Sequence, residues 1–139
     1  MRLLLVLALL FQRQGPTRLQ VGSPVSRTVT RNQPQHQFTV QMTEGQFARL
    51  VVDQHGVDLL IRVTALAPPG TRTLGEFDSP NGAEGPENVQ FVSAVAGDYM
   101  VDVVPLNPNE DLNGRFEIRL VELRGATDPE LRAAKDNSK

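Results

Sequence analysis

From Pro24 to Leu123 apolar side chains return at every second position through short runs, and Gly, Pro or Asn closes each run. No part of that stretch keeps the i, i+3, i+4, i+7 spacing of an amphipathic helix. Period two sends successive side chains to opposite faces of a strand, which suits half-buried sheets and excludes a helical bundle. The runs predict eight strands, at residues 25–30, 36–42, 46–54, 58–65, 73–77, 88–95, 99–105 and 115–123. In the second, Phe38, Val40 and Met42 share a face; in the last, Phe116, Ile118 and Leu120 do. Ala96-Gly97-Asp98 reads as a hairpin turn between the sixth and seventh. The expected fold is all-β: an antiparallel two-sheet β-sandwich of jelly-roll or Greek-key type, followed by a short C-terminal helix.

A chain of 139 residues holds one such domain and buries a core without disulfides or metals. Cysteine is absent, which removes disulfide scaffolds, thiolate zinc sites and cysteine nucleophiles. With no Trp and a single Tyr there is little on which to stack a sugar.

Met1-Arg2 and the apolar run from Leu3 to Phe11 have the charge and length of a secretory leader, and the run is too short to span a bilayer. Residues 1–22 are read as that leader, residues 23–124 as the sandwich and residues 125–139 as a helix with a polar tail. The small-residue option for cleavage lies near Gly22-Ser23; the alternatives are a misplaced start or a first strand buried in the domain. The expected location is secreted or periplasmic, with no stable membrane span once the leader is removed. Arg2, Arg13 and Arg18 precede residue 22 and every acid lies at or after Glu44, so a processed chain carries 11 bases against 16 acids. That balance, with the bases scattered singly, excludes nucleic acid as a partner.

Near the end, Thr127-Asp128-Pro129-Glu130 supplies an N-cap hydroxyl, a proline in the first turn and a carboxylate three residues beyond the cap. The helix it starts is short, and either docks on the sandwich or is the stub of something that continued.

The run from Gly97-Asp98-Tyr99 to Val104-Pro105-Leu106 resembles the Ala-Gly-x-Tyr-x-(apolar)-x-Val-x-Pro hairpin of bacterial pre-peptidase C-terminal domains, small β-sandwiches on exported proteins. Pro24-Val25-Ser26-Arg27, Gly45-Gln46-Phe47, Asp78-Ser79-Pro80-Asn81-Gly82, Gly85-Pro86-Glu87 and Gly114-Arg115-Phe116 are similar to the version that precedes TPR repeats and a CHAT-type caspase-like peptidase. The resemblance implies a non-catalytic ancillary module for protein interaction or stabilisation. It carries over no catalytic residue, since the peptidase segment has no counterpart here.

Two loops are candidate sites. Asn107, Asn109, Asp111 and Asn113 place oxygen side chains at alternate positions before Gly114, as at the start of a calcium loop. An ordinary Asx-rich connector is the favoured reading, because the twelfth position of the loop falls on Ile118 rather than a glutamate. Asp78, Asn81, Glu84 and Glu87 form an acidic loop suited to a protein partner; the alternative function is a calcium- or extracellular-polymer-binding module using both loops. Otherwise no cofactor is expected. His36 reads as solvated on the polar face of its strand, and His55 as a turn residue two places from Asp53. Tyr99, just after a Gly-Asp turn, is expected to pack its ring in the core and bond its hydroxyl to nearby backbone, as tyrosine corners do.

Overall fold

The computed structural model describes residues 15–66, 70–78, 82–109 and 111–137. It contains nine strands: β1 (Thr17–Arg18), β2 (Val25–Thr30), β3 (His36–Met42), β4 (Gln46–His55), β5 (Leu59–Ala65), β6 (Arg72–Phe77), β7 (Glu84–Val92), β8 (Gly97–Pro105) and β9 (Asn113–Gly125). One helix, α1 (Asp128–Asn137), follows. The strands form two sheets, ordered β1-β3-β8-β5-β6 and β2-β9-β4-β7. Among the described residues all strand pairings are antiparallel except β1 with β3, and Val21 adds an isolated parallel bridge to Leu120. The all-β sandwich expected from period two is thus the fold.

Alternation puts Phe38, Val40, Ile61, Val63, Tyr99 and Val101 of one sheet against Leu50, Val52, Val89, Phe116, Ile118 and Leu120 of the other, all buried. At roughly 25 cal/mol per Å² of apolar surface removed from water, this common core is the main source of stability. The core continues to a polar end: Gln54 and Glu87 are 0% and 1% exposed. Gln54 accepts the Leu59 N–H at 2.8 Å and donates to the Gly85 carbonyl at 3.2 Å, so its amide is satisfied where it is buried.

Three expectations are corrected. First, the step at Ala96-Gly97-Asp98 is no hairpin: β7 pairs with β4 in one sheet, and β8 pairs with β3 and β5 in the other. From β2 to β9 only the β5–β6 connection stays within a sheet; the rest cross over. Alternation and a glycine turn mark where a strand ends, and the partner strand is chosen by the core. Second, β7 starts at Glu84, inside the stretch read as an acidic loop, with Gly85 opposite Gln54 and Pro86 opposite Asp53. Pro86 is tolerated because β7 is an edge strand, whose outer side needs no donor. Third, among the described residues strand pairing already starts at Thr17, within the segment assigned to the leader. Thr17 and Arg18 pair with Phe38 and Thr39, the Leu19 N–H donates to the Thr39 carbonyl at 2.9 Å, and Leu19 is 4% exposed in the core. Cleavage near Gly22-Ser23 would remove a core side chain. The apolar run from Leu3 to Phe11 lies outside the described residues. Among the described residues no helix is long and apolar enough to cross a membrane.

A register shift between Arg49 and Leu50 re-aims the end of β9, turning Glu122 and Arg124 outward and Leu123 toward the core. This bulge builds the seat of α1. The Arg124 guanidinium lies 4.3 Å from the centroid of Phe47 and forms a two-pronged bond with Glu130, 2.9 Å on each prong. Glu130 also accepts the Thr127 N–H at 2.8 Å, and the Thr127 hydroxyl accepts the Glu130 N–H at 3.3 Å, which closes the expected capping box. The helix docks by its first turn. Arg124, and then the Thr127 N–H, hold the Glu130 carboxyl down at about 2. Arg49 first and Arg124 second lower that of Glu122.

Candidate functional site

The two sheets part along the side where β2 faces β1 and β3, and side-chain parity determines what fills the gap. Along β2 the inward positions are Val25, Arg27 and Val29; along β3 they are His36, Phe38, Val40 and Met42. An arginine and a histidine therefore occupy positions that elsewhere carry core residues. His36 is corrected on this point. It shares the parity of Phe38, is half-buried, and sets its ring edge-on to Phe116 at 5.6 Å between centroids. Its Nε2 lies 2.9 Å from the Thr28 carbonyl, and since a carbonyl only accepts, that nitrogen carries a proton. Arg27 stretches over the Phe38 ring at 5.8 Å and donates to the Thr17 hydroxyl at 3.1 Å and to the Ser26 carbonyl at 2.9 Å.

The result is a polar groove with the His36 ring in its wall. It has two adjoining lobes of about 400 and 280 Å³, which share Arg27, Gln33 and His36; the first reaches Thr17, Gln35 and Gln37, the second Ser26, Thr28 and Arg115. The larger lobe reaches the lower end of the size range of pockets that take small ligands. Gln35 and Gln37 at the rim both donate to one carboxylate oxygen of Asp102, at 3.1 and 2.7 Å, which holds their amides in place.

The residues singled out from sequence are not brought together in this way. Asp78 is exposed after β6, and Asn81 lies outside the described residues. Glu84 opens β7 and its carboxylate accepts the Gly56 N–H. Glu87 is buried on the inner face of β7, where the Gln54 amide donates to its carboxylate at 3.4 Å, so the acidic surface loop is corrected at Glu84 and Glu87, which both lie in β7. Asn107 and Asn109 are exposed in the β8–β9 connection; Asp111 lies 3.5 Å from the Arg31 guanidinium; Asn113 starts β9 opposite Thr30. Among the described residues no three His, Cys, Asp or Glu side chains converge as a metal site would require. His55 sits on the outer face with Nε2 3.8 Å from Asp53.

Sequence reasoning missed Arg27 and Arg115. The signal for Arg27 was present: it stands two residues from Val25 and two from Val29 on an alternating strand, so it belongs to the apolar face. For Arg115 no such signal exists. It points outward, and only the approach of β2 to β3 brings it to the groove.

The architecture is shared with solved structures. The pre-peptidase C-terminal domain of a collagenase from Bacillus anthracis superposes with a TM-score of 0.60 at 11% identity, covering 78% of this chain and 97% of that one. The fold is that of a pre-peptidase C-terminal β-sandwich. PliG, a periplasmic lysozyme inhibitor of g-type lysozyme from Aeromonas hydrophila, has a TM-score of 0.51 at 14% identity, covering 76% of this chain and 95% of its own. No protein-family model and no curated protein matches the sequence.

Proposed function

We propose that this chain is a non-catalytic, exported β-sandwich module that works by binding a protein partner, the ancillary domain of an architecture in which such sandwiches precede TPR repeats and a CHAT-type peptidase. The groove between β2 and β3 carries the reading. A sandwich that only had to be stable would continue Val25 and Val29 with a third apolar side chain, and would not hold a guanidinium at the mouth of its core. The shared fold with a collagenase's pre-peptidase domain and with a lysozyme inhibitor supports it, since an inhibitor of an enzyme acts by contact with a protein. Export is supported by the basic start and the apolar run at Leu3 to Phe11. The burial of Leu19 supports a processing point before Thr17.

The test is a pair of blots with one antibody against the sandwich, on the exported fraction of the source cells. Under denaturing conditions the reading expects a band far larger than 139 residues can give, as a TPR and peptidase architecture requires. Under native conditions it expects a particle larger still. A denatured band of this chain's own size removes the architecture; equal native and denatured sizes remove the partner.

A further inference from the structure

The groove's charge identifies what it takes. Arg27 spends two of its donors on the Thr17 hydroxyl and the Ser26 carbonyl, and Arg115 stands at the far lobe; among the described residues neither guanidinium meets a carboxylate. Four other arginines of the sheet surfaces behave differently. Arg49, Arg62, Arg119 and Arg124 each lie within 3.4 Å of a carboxylate oxygen. A net-negative chain that pairs Arg49, Arg62, Arg119 and Arg124 with its own carboxylates leaves Arg27 and Arg115 facing one groove.

We propose that this groove receives the carboxylate side chains of an extended acidic peptide segment on the partner protein. Arg27 takes one carboxylate inside the mouth, Arg115 a second at the outer lobe, and the aliphatic stems between them lie against the His36 ring, which lines both lobes. Guanidinium and carboxylate match as planar, two-pronged partners. Arg27 is already oriented by Thr17 and the Phe38 ring, so little side-chain freedom is lost on binding. A long polyanion such as nucleic acid or heparin does not fit the same facts: it needs a stripe of bases, and beyond these two the surface is acidic on balance. The proposal rests on the reading of the chain as a protein-interaction module and adds the chemistry of what it recognises.

The test is a titration of the full chain, followed in nitrogen-edited NMR spectra, with acetyl-Glu-Glu-Glu-Glu-amide; acetyl-Gln-Gln-Gln-Gln-amide and inorganic phosphate are the comparison probes. The expected result is saturable shifts at the Arg27 and Arg115 Nε–H signals and at the amides of Ser26, Arg27 and His36, with Arg62 and Arg124 unmoved. Arg27→Gln and Arg115→Gln should each weaken binding by about threefold, with native spectral dispersion, and Arg62→Gln should leave it unchanged. Absence of saturation, shifts spread evenly over all arginines, or equal response to the glutamine peptide overturns the proposal. So does phosphate binding as tightly as the glutamate peptide, which would mark an adventitious ion only. Should the peptide fail while the native particle of the blot persists, the acidic-segment proposal falls and the interaction module stands.

Discussion

The hydroxyl of Tyr99 donates to the carbonyl of Val95 at 2.6 Å, and this bond ties down the corner at which the chain leaves one sheet for the other. The ring is 1% exposed and tilts against Phe91, 5.8 Å between centroids. Tyr99→Phe keeps the ring and removes the bond, so it should lower stability by about 1 kcal/mol. A denaturant melt reads this as an earlier midpoint at unchanged slope. Equal midpoints would show that the hydroxyl contributes nothing at the corner.

That corner also shows how far the sequence alone carries. Tyr99 after Gly97-Asp98 gave both the buried ring and the bonded hydroxyl, because both follow from local chain geometry. Which strands flank the corner did not follow: runs of Val, Phe and Tyr look alike whether they form a hairpin or cross between sheets, and the pairing depends on contacts far apart in sequence. The same limit hid β1, two residues held by parallel pairing to β3, and Arg115, which joins the groove only through β2. His36 and Arg27 were within reach of parity alone. The Asx-rich 107–113 loop offered oxygen ligands by composition, yet its Asp111 faces Arg31.

Leu19 belongs to the core of the sandwich. Leu19→Ala should cost about 2–4 kcal/mol, the usual range for emptying a buried leucine site, whereas Val21→Ala, 53% exposed, should stay within about 0.5 kcal/mol. Thermal melts of the two variants separate a folded 17–22 segment from a dispensable leader, since a dispensable segment would give equal curves.

Gly114 is needed for space. A Cβ there would stand 2.6 Å from the Val57 side chain and 2.9 Å from the Gly56 carbonyl carbon. Val57 is buried and has nowhere to retreat, so Gly114→Ala should destabilise by about 1–3 kcal/mol. Gly125→Ala meets nothing within 4 Å and should melt with the parent within about 0.5 kcal/mol.

The seat of α1 should loosen in acid. The Glu130 carboxyl titrates near 2 when folded, below its ordinary 4.5, so the bonds it makes are fully present above 4.5 and are lost as pH falls toward 2. Carbon-detected NMR of the Glu130 carboxyl should give a midpoint near 2. Arg124→Gln removes the larger cause and should move that midpoint up toward 4.5; an unchanged midpoint would mean that the two-pronged bond is not formed in solution.

The working surface itself is tested most directly by site-specific photocrosslinking in the exporting cell. A benzophenone side chain at Gln35 stands on the rim of the groove, and one at Leu60 stands on the outer face of β5. A module that binds through the groove yields one discrete protein adduct from position 35, none from position 60, and loses the first when Arg27 and Arg115 are both changed to glutamine. An adduct from position 60 alone, or one from position 35 that survives the loss of both arginines, would contradict it.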